Sequence, residues 1–362
     1  MLLLADARAV RKHLDGIGRF SVSVIGNLDQ LRPEWAIRVV ADPEGAHHLT
    51  ELESEIVFCD APRFGLSERI RIPRIVREIG ADAYLNFSMA GPVVPVPSIL
   101  TIHDLMVLQL RGYFGEGCLR NLLSRAVFAL LLKRSVRTSE AIAVPSLATR
   151  DSIGRYYGKH AERVFVTGEG QDLFDPSDPP GVERKDFLLY VGNARAYKNL
   201  PRLLASYEEA LQRVGETPPL VMVVRRDRAY ADFEKLLTRS PVADRVEVLS
   251  GISESKLRNL YSTCMALVMP SVCEGFGLPA LEAMASGAPV LASRGTALEG
   301  VVGDAGLLVD PLSIQDISAG ILKISEDDAL RKNLSARALD RSKEFTWRKT
   351  AKAYAEKIEE IA

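Results

Sequence analysis

Short apolar runs alternate with helical patterns along this chain, and the alternation comes in two blocks. In the first, Met1–Ala5, Ile37–Ala41, Ile56–Cys59, Ala83–Asn86, Ser98–His103 and Ala141–Pro145 read as strands. In the second, Phe187–Gly192, Leu220–Val224, Val246–Leu249, Ala266–Pro270 and Pro289–Ser293 do. Strands separated by helix-length segments predict a parallel sheet with helices on both faces. The repetition predicts two doubly wound α/β domains, and 362 residues suits two domains of about 100–200 residues each.

The segment Asp172 to Lys185 (DLFDPSDPPGVERK) lacks apolar periodicity and reads as the junction. Boundaries are therefore expected at residues 1–175, 176–345 and 346–362. Within the last, Trp347, Ala351, Tyr354, Ile358 and Ile361 mark a helix.

Charge and cysteine usage remove several function classes. Forty-six Lys and Arg against 47 Asp and Glu argue against a nucleic-acid binder, which needs a basic excess. The four cysteines, Cys59, Cys118, Cys264 and Cys273, form no CxxC pair, so a zinc knuckle or redox motif is not expected. MLLLADARAV has no basic start and reads as a buried strand, not a signal peptide. The longest apolar run, Ala126 to Leu132, is seven residues, whereas a membrane span needs about 20. A cytoplasmic chain is expected, at most peripheral to the inner face of a membrane.

One segment qualifies that. Gly117–Arg137 has an apolar set (Leu119, Leu122, Leu123, Ala126, Val127, Leu130, Leu131), and Arg111 to Arg137 holds six basic residues against Glu116 alone. The plainer reading is a helix packed on the core with a solvated basic side. The sharper one is docking on an anionic membrane or a lipid-phosphate acceptor.

The most informative string is MPSVCEGFGLPALEAMASGAPVLAS, Met269 to Ser293. A strand feeds a loop with Gly275 and Gly277, Pro279 sits at the expected first helical position, and Gly287 ends the helix. The amides of Gly275, Phe276, Gly277 and Leu278 would then crowd at a helix N-terminus, which suits phosphate or sugar oxygens. Glu274 can accept hydrogen bonds from sugar hydroxyls, and Glu282 can hold vicinal ribose hydroxyls. The competing reading is a capping box, Ser271-x-x-Glu274.

This string resembles the E-x7-E signature of retaining, nucleotide-sugar-dependent glycosyltransferases of family 4. Collinear matches extend over nearly the whole chain: DARAVRKHLDGIGRF, TIHDL (Thr101–Leu105), VGNARAYKNLPRLL (Val191–Leu204), SGISESKLRNLYSTCMALVMPS, VVGDAGLLVDP (Val301–Pro311) and FTWRKTA. TIHDL and KNL are similar to mannosyltransferase-like members of bacterial polysaccharide pathways.

The resemblance implies the GT-B fold, two Rossmann-like domains facing across a cleft. The first would bind acceptor and the second nucleotide sugar, and the last helix would cross back to the first domain. It implies a donor such as GDP-mannose or a UDP- or dTDP-hexose, and a glycan or polyprenyl-phosphate-linked acceptor. No cofactor or metal is implied, and no Asp-x-Asp triplet is present.

By the same resemblance, Gly16 and Gly18 lie over the donor diphosphate, Arg19 and Asp104 face acceptor, and His103 sits over the donor sugar. Lys198 is the phosphate-binding lysine, and with His103 and Glu274 it makes the catalytic set. Relatives carry an arginine where Asn193 stands, so Arg195 or Arg225 would have to replace it. They carry Pro-Glu where Glu299-Gly300 stands, and a small residue where Asp15 stands. A non-catalytic nucleotide-sugar-binding protein is the alternative that these departures favour. A dehydrogenase or epimerase lacks its G-x-G-x-x-G here.

Overall fold

A computed structural model of the chain describes residues 1–12, 14–110, 119–174 and 184–362, and for 119–121 the backbone alone. Residues 175–183 of the expected junction, and Gly117 with Cys118 at the start of the basic segment, lie outside the described residues. The chain forms two compact units, Met1–Gly170 with Thr346–Ala362, and Gln171–Phe345.

The first unit holds β1 (Leu2–Asp6), α1 (Gly16–Leu31), β2 (Ala36–Ala41), β3 (Glu55–Phe58), α2 (Glu68–Ile79), β4 (Ala83–Asn86), β5 (Ser98–Thr101), α3 (Met106–Gln109), α4 (Leu119–Thr138), β6 (Ala141–Val144), α5 (Leu147–Tyr157) and β7 (Val164–Val166). Its strands are all parallel, in the order β3-β2-β1-β4-β5-β6-β7. The central strands β4, β5 and β6 are buried at every position, as a parallel sheet covered on both faces requires.

The second unit holds β8 (Leu188–Gly192), α6 (Leu200–Val214), β9 (Leu220–Val224), α7 (Tyr230–Thr238), β10 (Val246–Leu249), α8 (Glu254–Thr263), β11 (Ala266–Met269), α9 (Leu278–Ala285), β12 (Val290–Ser293), α10 (Ala297–Val302), β13 (Leu307–Val309), α11 (Ile314–Glu326) and α12 (Asp328–Ser342). The parallel order is β10-β9-β8-β11-β12-β13. The helices cover the sheet with stripes at helical spacing. In α6, for example, Leu200, Leu203, Leu204, Tyr207 and Ala210 are buried.

The final helix, α13 (Trp347–Ile361), belongs to the first unit. Trp347 and Tyr354 stack edge-on against Phe20 of α1, and the Tyr354 hydroxyl meets Thr101 Oγ1 at 2.8 Å. Gly170 leaves no room for a side chain, because a Cβ there would lie 2.2 Å from the Trp347 nitrogen.

Several sequence expectations change. β7 and β13 are three-residue strands, too short to stand out as apolar runs. The described ends of the expected linker are packed: Leu173 and Phe174 are buried in the second core, and Arg184 donates to the carbonyls of Cys264 and Ser286. β5 stops at Thr101, so His103 lies in the loop beyond it.

Helix α4 departs most from the core-packed reading. Leu132, Ser135 and Val136 are buried, but Leu122, Leu123, Val127 and Leu130 are 64%, 59%, 55% and 66% exposed. The apolar residues of this helix surround its axis instead of forming one stripe, so the core covers only part of them.

Candidate functional site

In the second unit the strand order reverses between β8 and β11. Such a reversal opens a crevice beyond the strands' C-terminal ends, the usual ligand position in open parallel sheets. Two loops meet there, Asn193–Asn199 after β8 and Pro270–Gly277 after β11. The Val272 amide donates to the Tyr197 carbonyl at 2.8 Å. Asn199 Nδ2 donates to the carbonyls of Pro270 at 2.9 Å and Pro311 at 2.7 Å, so one buried amide ties three loops. Asn199 adopts φ +63°, a left-handed conformation that asparagine tolerates better than most residues. It stands inside the KNL motif, where nothing in the local sequence marks this role.

Lys198 and Glu274 face each other across these loops. Nζ and Oε1 are 2.7 Å apart, with the side chains only 7% and 9% exposed. The ion pair therefore bridges the two edges of the crevice and is largely out of water. Tyr190, beneath it, donates its hydroxyl to the Asn193 carbonyl at 2.7 Å. Burial first, then the Glu274 charge, push its pKa far up, so it stays a neutral donor.

The capping-box reading of Glu274 fails. The N-cap of α9 is Gly277, no side chain caps the helix, and Leu278 precedes Pro279 as its first residue. Ser271 Oγ is buried with no partner among the described residues. Gly277 is dictated by space: it has φ +119°, and a Cβ would lie 2.4 Å from Leu298 Cδ2. The Phe276 ring packs edge-on against Phe345 at 5.7 Å, and Leu278 packs on the same core. These two can offer a ligand their backbone amides, not their side chains. Gly275 completes this turn. Glu282 is buried in α9 and accepts from the Tyr261 hydroxyl at 2.8 Å.

Asn193 is occupied locally. Its Nδ2 donates to the Tyr197 hydroxyl at 3.0 Å and its Oδ1 accepts from the Arg195 amide at 3.1 Å. Arg195 is exposed and reaches Asp227 at 3.3 Å. Arg225 is exposed at the end of β9, its amide on the Gly192 carbonyl. Glu299 Oε2 accepts from the Gly295 amide at 2.6 Å. Gly300 lies in α10 and its carbonyl accepts from Arg341.

In the first unit, Gly16 and Gly18 do not form a loop after β1 but open α1. Asp15 is the N-cap, and its Oδ1 accepts from the Gly18 amide at 2.9 Å. This gives the unexpected carboxylate a structural role, and it engages an amide that the resemblance assigns to phosphate. Arg19 follows in the same first turn. His103 is buried: Nε2 lies 3.0 Å from the Phe87 carbonyl, and its ring meets Phe20 edge-on at 4.9 Å. A carbonyl accepts only, so Nε2 carries the hydrogen and Nδ1 faces Glu169 Oε1 at 4.0 Å. Buried Glu169 follows β7 and matches none of the motifs read from the sequence. Asp104 anchors the next turn, accepting from the Met106 amide at 2.9 Å.

Among the described residues, no three His, Cys, Asp or Glu side chains gather as a metal site. No helix of the described residues is long and apolar enough to cross a membrane.

Residues 175–341 match the family model described as "Glycosyl transferases group 1". The chain is 26% identical to the O-antigen chain mannosyltransferase B of Escherichia coli over 374 residues, covering 96% of each. Longer mannosyltransferase relatives also match, and of those the chain spans about a third of the length. Among solved structures, sucrose-phosphate synthase from Thermosynechococcus elongatus superposes with a TM-score of 0.75 at 20% identity, covering 98% of both chains. Anabaena HepE in complex with UDP-glucose gives 0.72 at 17% identity, covering 99% of this chain and 100% of that one.

Proposed function

We propose that this chain, which belongs to the group 1 glycosyl transferases of GT-B fold, transfers a mannosyl or related hexosyl residue from a nucleotide diphosphate sugar. The acceptor is a glycan or a lipid-linked glycan of a cell-surface polysaccharide, and anomeric configuration is retained. The observation that carries this reading is the Lys198–Glu274 pair, which spans the β8 and β11 loops beside the uncapped N-terminus of α9. It combines a cation, an acceptor of sugar hydroxyl hydrogens and the N-terminal turn of a helix in one crevice. The mannosyl preference rests on the mannosyltransferases among the relatives.

In this reading the donor diphosphate lies on the amides of Gly275 to Leu278 and on Lys198 Nζ, while Glu274 accepts from sugar hydroxyls and Glu282 from the ribose. The bond between the anomeric carbon and the phosphate oxygen breaks, and the phosphate keeps the electron pair. The acceptor hydroxyl oxygen bonds the same carbon from the same face and passes its proton to the departing phosphate. Lys198 and the helix amides stabilise the charge that develops on that phosphate, a role a metal fills elsewhere. In the first unit, His103, with Nε2 committed to the Phe87 carbonyl, presents only Nδ1 to a ligand. Arg19 and Asp104 are the acceptor-side candidates.

Helix α4 supports a lipid-linked acceptor. Its exposed leucines and Val127 stand beside exposed Lys133, Arg134 and Arg137, with no acid in the described helix. Apolar side chains flanked by cations suit an anionic bilayer surface, here the cytoplasmic face.

The test is a donor panel (GDP-mannose, UDP-glucose, UDP-GlcNAc, dTDP-rhamnose) scored by thermal shift and then by donor hydrolysis. One donor should raise Tm and be hydrolysed slowly without acceptor. A panel in which no donor binds refutes the reading. A donor that binds but is never turned over with any acceptor favours the non-catalytic alternative.

A further inference from the structure

In the sugar-transfer reading Lys198 and Glu274 each bind a group of the donor, yet in the folded chain each holds the other. Nζ lies 2.7 Å from Oε1, both side chains are largely buried, and the Glu274 carboxylate has no second bonded partner among the described residues. The ammonium also lies over the Tyr197 ring, 5.5 Å from its centre, and Asn193 Nδ2 fixes that ring by its hydroxyl at 3.0 Å. The backbone holds the two charges together. The Lys198 amide donates to the Arg195 carbonyl at 2.9 Å, and the Val272 amide joins the lysine loop to the glutamate loop at 2.8 Å. Asn199, next in the chain, ties the same loops. What can move is the flexible stem of the lysine.

An ion pair at this distance presents no net charge to a diphosphate. To bond phosphate oxygens, Nζ must share or surrender Glu274. The carboxylate is then a buried anion beside other anions, a costly state. Sugar hydroxyls relieve it, because each can donate a hydrogen to a carboxylate oxygen. A bare nucleotide diphosphate brings no such donors at that end. Its terminal phosphate also carries about one more negative charge, where the sugar was attached.

We propose that Glu274 makes this site discriminate the loaded donor from the bare nucleotide diphosphate left after transfer. Glu274 yields Lys198 to phosphate only when sugar hydroxyls take the place of the lysine. Once the sugar has left, it recaptures Lys198, and the diphosphate loses its cation and departs. The proposal rests on the sugar-transfer reading and adds to it the means of product release. A purely structural ion pair makes a different forecast: breaking it would weaken every ligand of the crevice alike.

Calorimetric titration of the full chain with GDP-mannose, UDP-glucose, UDP-GlcNAc and dTDP-rhamnose, each compared with its bare diphosphate, tests this. In at least one pair the unaltered chain should bind the sugar form roughly tenfold more tightly or better, as hydrogen bonds to a charged group allow. Glu274→Gln removes the negative charge and keeps an oxygen for Lys198. That variant should bind the bare diphosphate roughly tenfold more tightly than the unaltered chain does, because no buried anion is left unpaired. It should bind the sugar form no more tightly, so the preference collapses or inverts. Thermal denaturation shows that the variant is folded. The comparison on the unaltered chain needs no variant: a bare diphosphate that binds as tightly as its sugar form in every pair overturns the proposal. So does a folded Glu274→Gln chain whose affinity for the bare diphosphate is unchanged or lower. If no compound binds at all, the sugar-transfer reading falls and this proposal with it. Binding without discrimination refutes this proposal alone.

Discussion

Removing Glu274 should damage the fold as well as the chemistry. At 2.7 Å and an effective dielectric constant of about 20, the Lys198–Glu274 attraction is roughly 6 kcal/mol before the cost of desolvating both ions. Glu274→Ala keeps that cost for Lys198 and loses the attraction, and breaking one half of a buried pair costs about 3–5 kcal/mol. That is a large part of the roughly 5–15 kcal/mol by which domains are stable. At about 2–4 °C per kcal/mol, the second unit should melt roughly 10 °C lower. Lys198→Met with Glu274→Leu removes both charges and should recover most of the loss, while transfer stays absent. Glu274→Gln keeps an oxygen for Lys198 and should sit between. Thermal denaturation of the four proteins, followed by a probe in the second unit, reads the loss and its recovery. If Glu274→Ala melts within about 2 °C of the unaltered chain, or the double variant is no more stable than the single ones, the pair is not the desolvated bridge described above.

Asn199→Ala should cost about 2–4 kcal/mol, since it strips two carbonyls of their donor and places alanine at φ +63°; denaturant titration measures it. Gly277→Ala should lower both stability and donor affinity, because its Cβ would strike Leu298; a variant with unchanged donor Kd counts against the role of this turn. Burial pushes the Cys264 thiol up to about 12, so a thiol reagent at pH 8 should label half-buried Cys273 and leave Cys264 untouched until unfolding, as mass spectrometry can show. Replacing Lys133, Arg134 and Arg137 by glutamate should reduce sedimentation with anionic vesicles, and unchanged sedimentation counts against the membrane reading.

The parallel architecture was legible because buried strands are short, continuous apolar runs, and eleven of their spans follow the apolar positions to within two residues at either end. β7 and β13 were not, since three residues are too few to carry a periodic signal. At the site, the loop glycines, Lys198 and Glu274 stand in recognisable strings, yet their separation of 76 positions hides that they touch. Asn199 and Glu169 act through contacts between loops distant in sequence.

By itself the sequence determined the class of fold and the residues with chemical potential, because strand length, glycine spacing and helix signals are local properties. Only the tertiary structure decided what each charge faces. It made Lys198 and Glu274 a desolvated pair, turned Asp15 into a helix cap, and left Leu122, Leu123 and Leu130 of α4 in solvent. The reason is physical: the energy of a buried charge is set by its neighbours in space and its distance from water, and neither is written in local sequence.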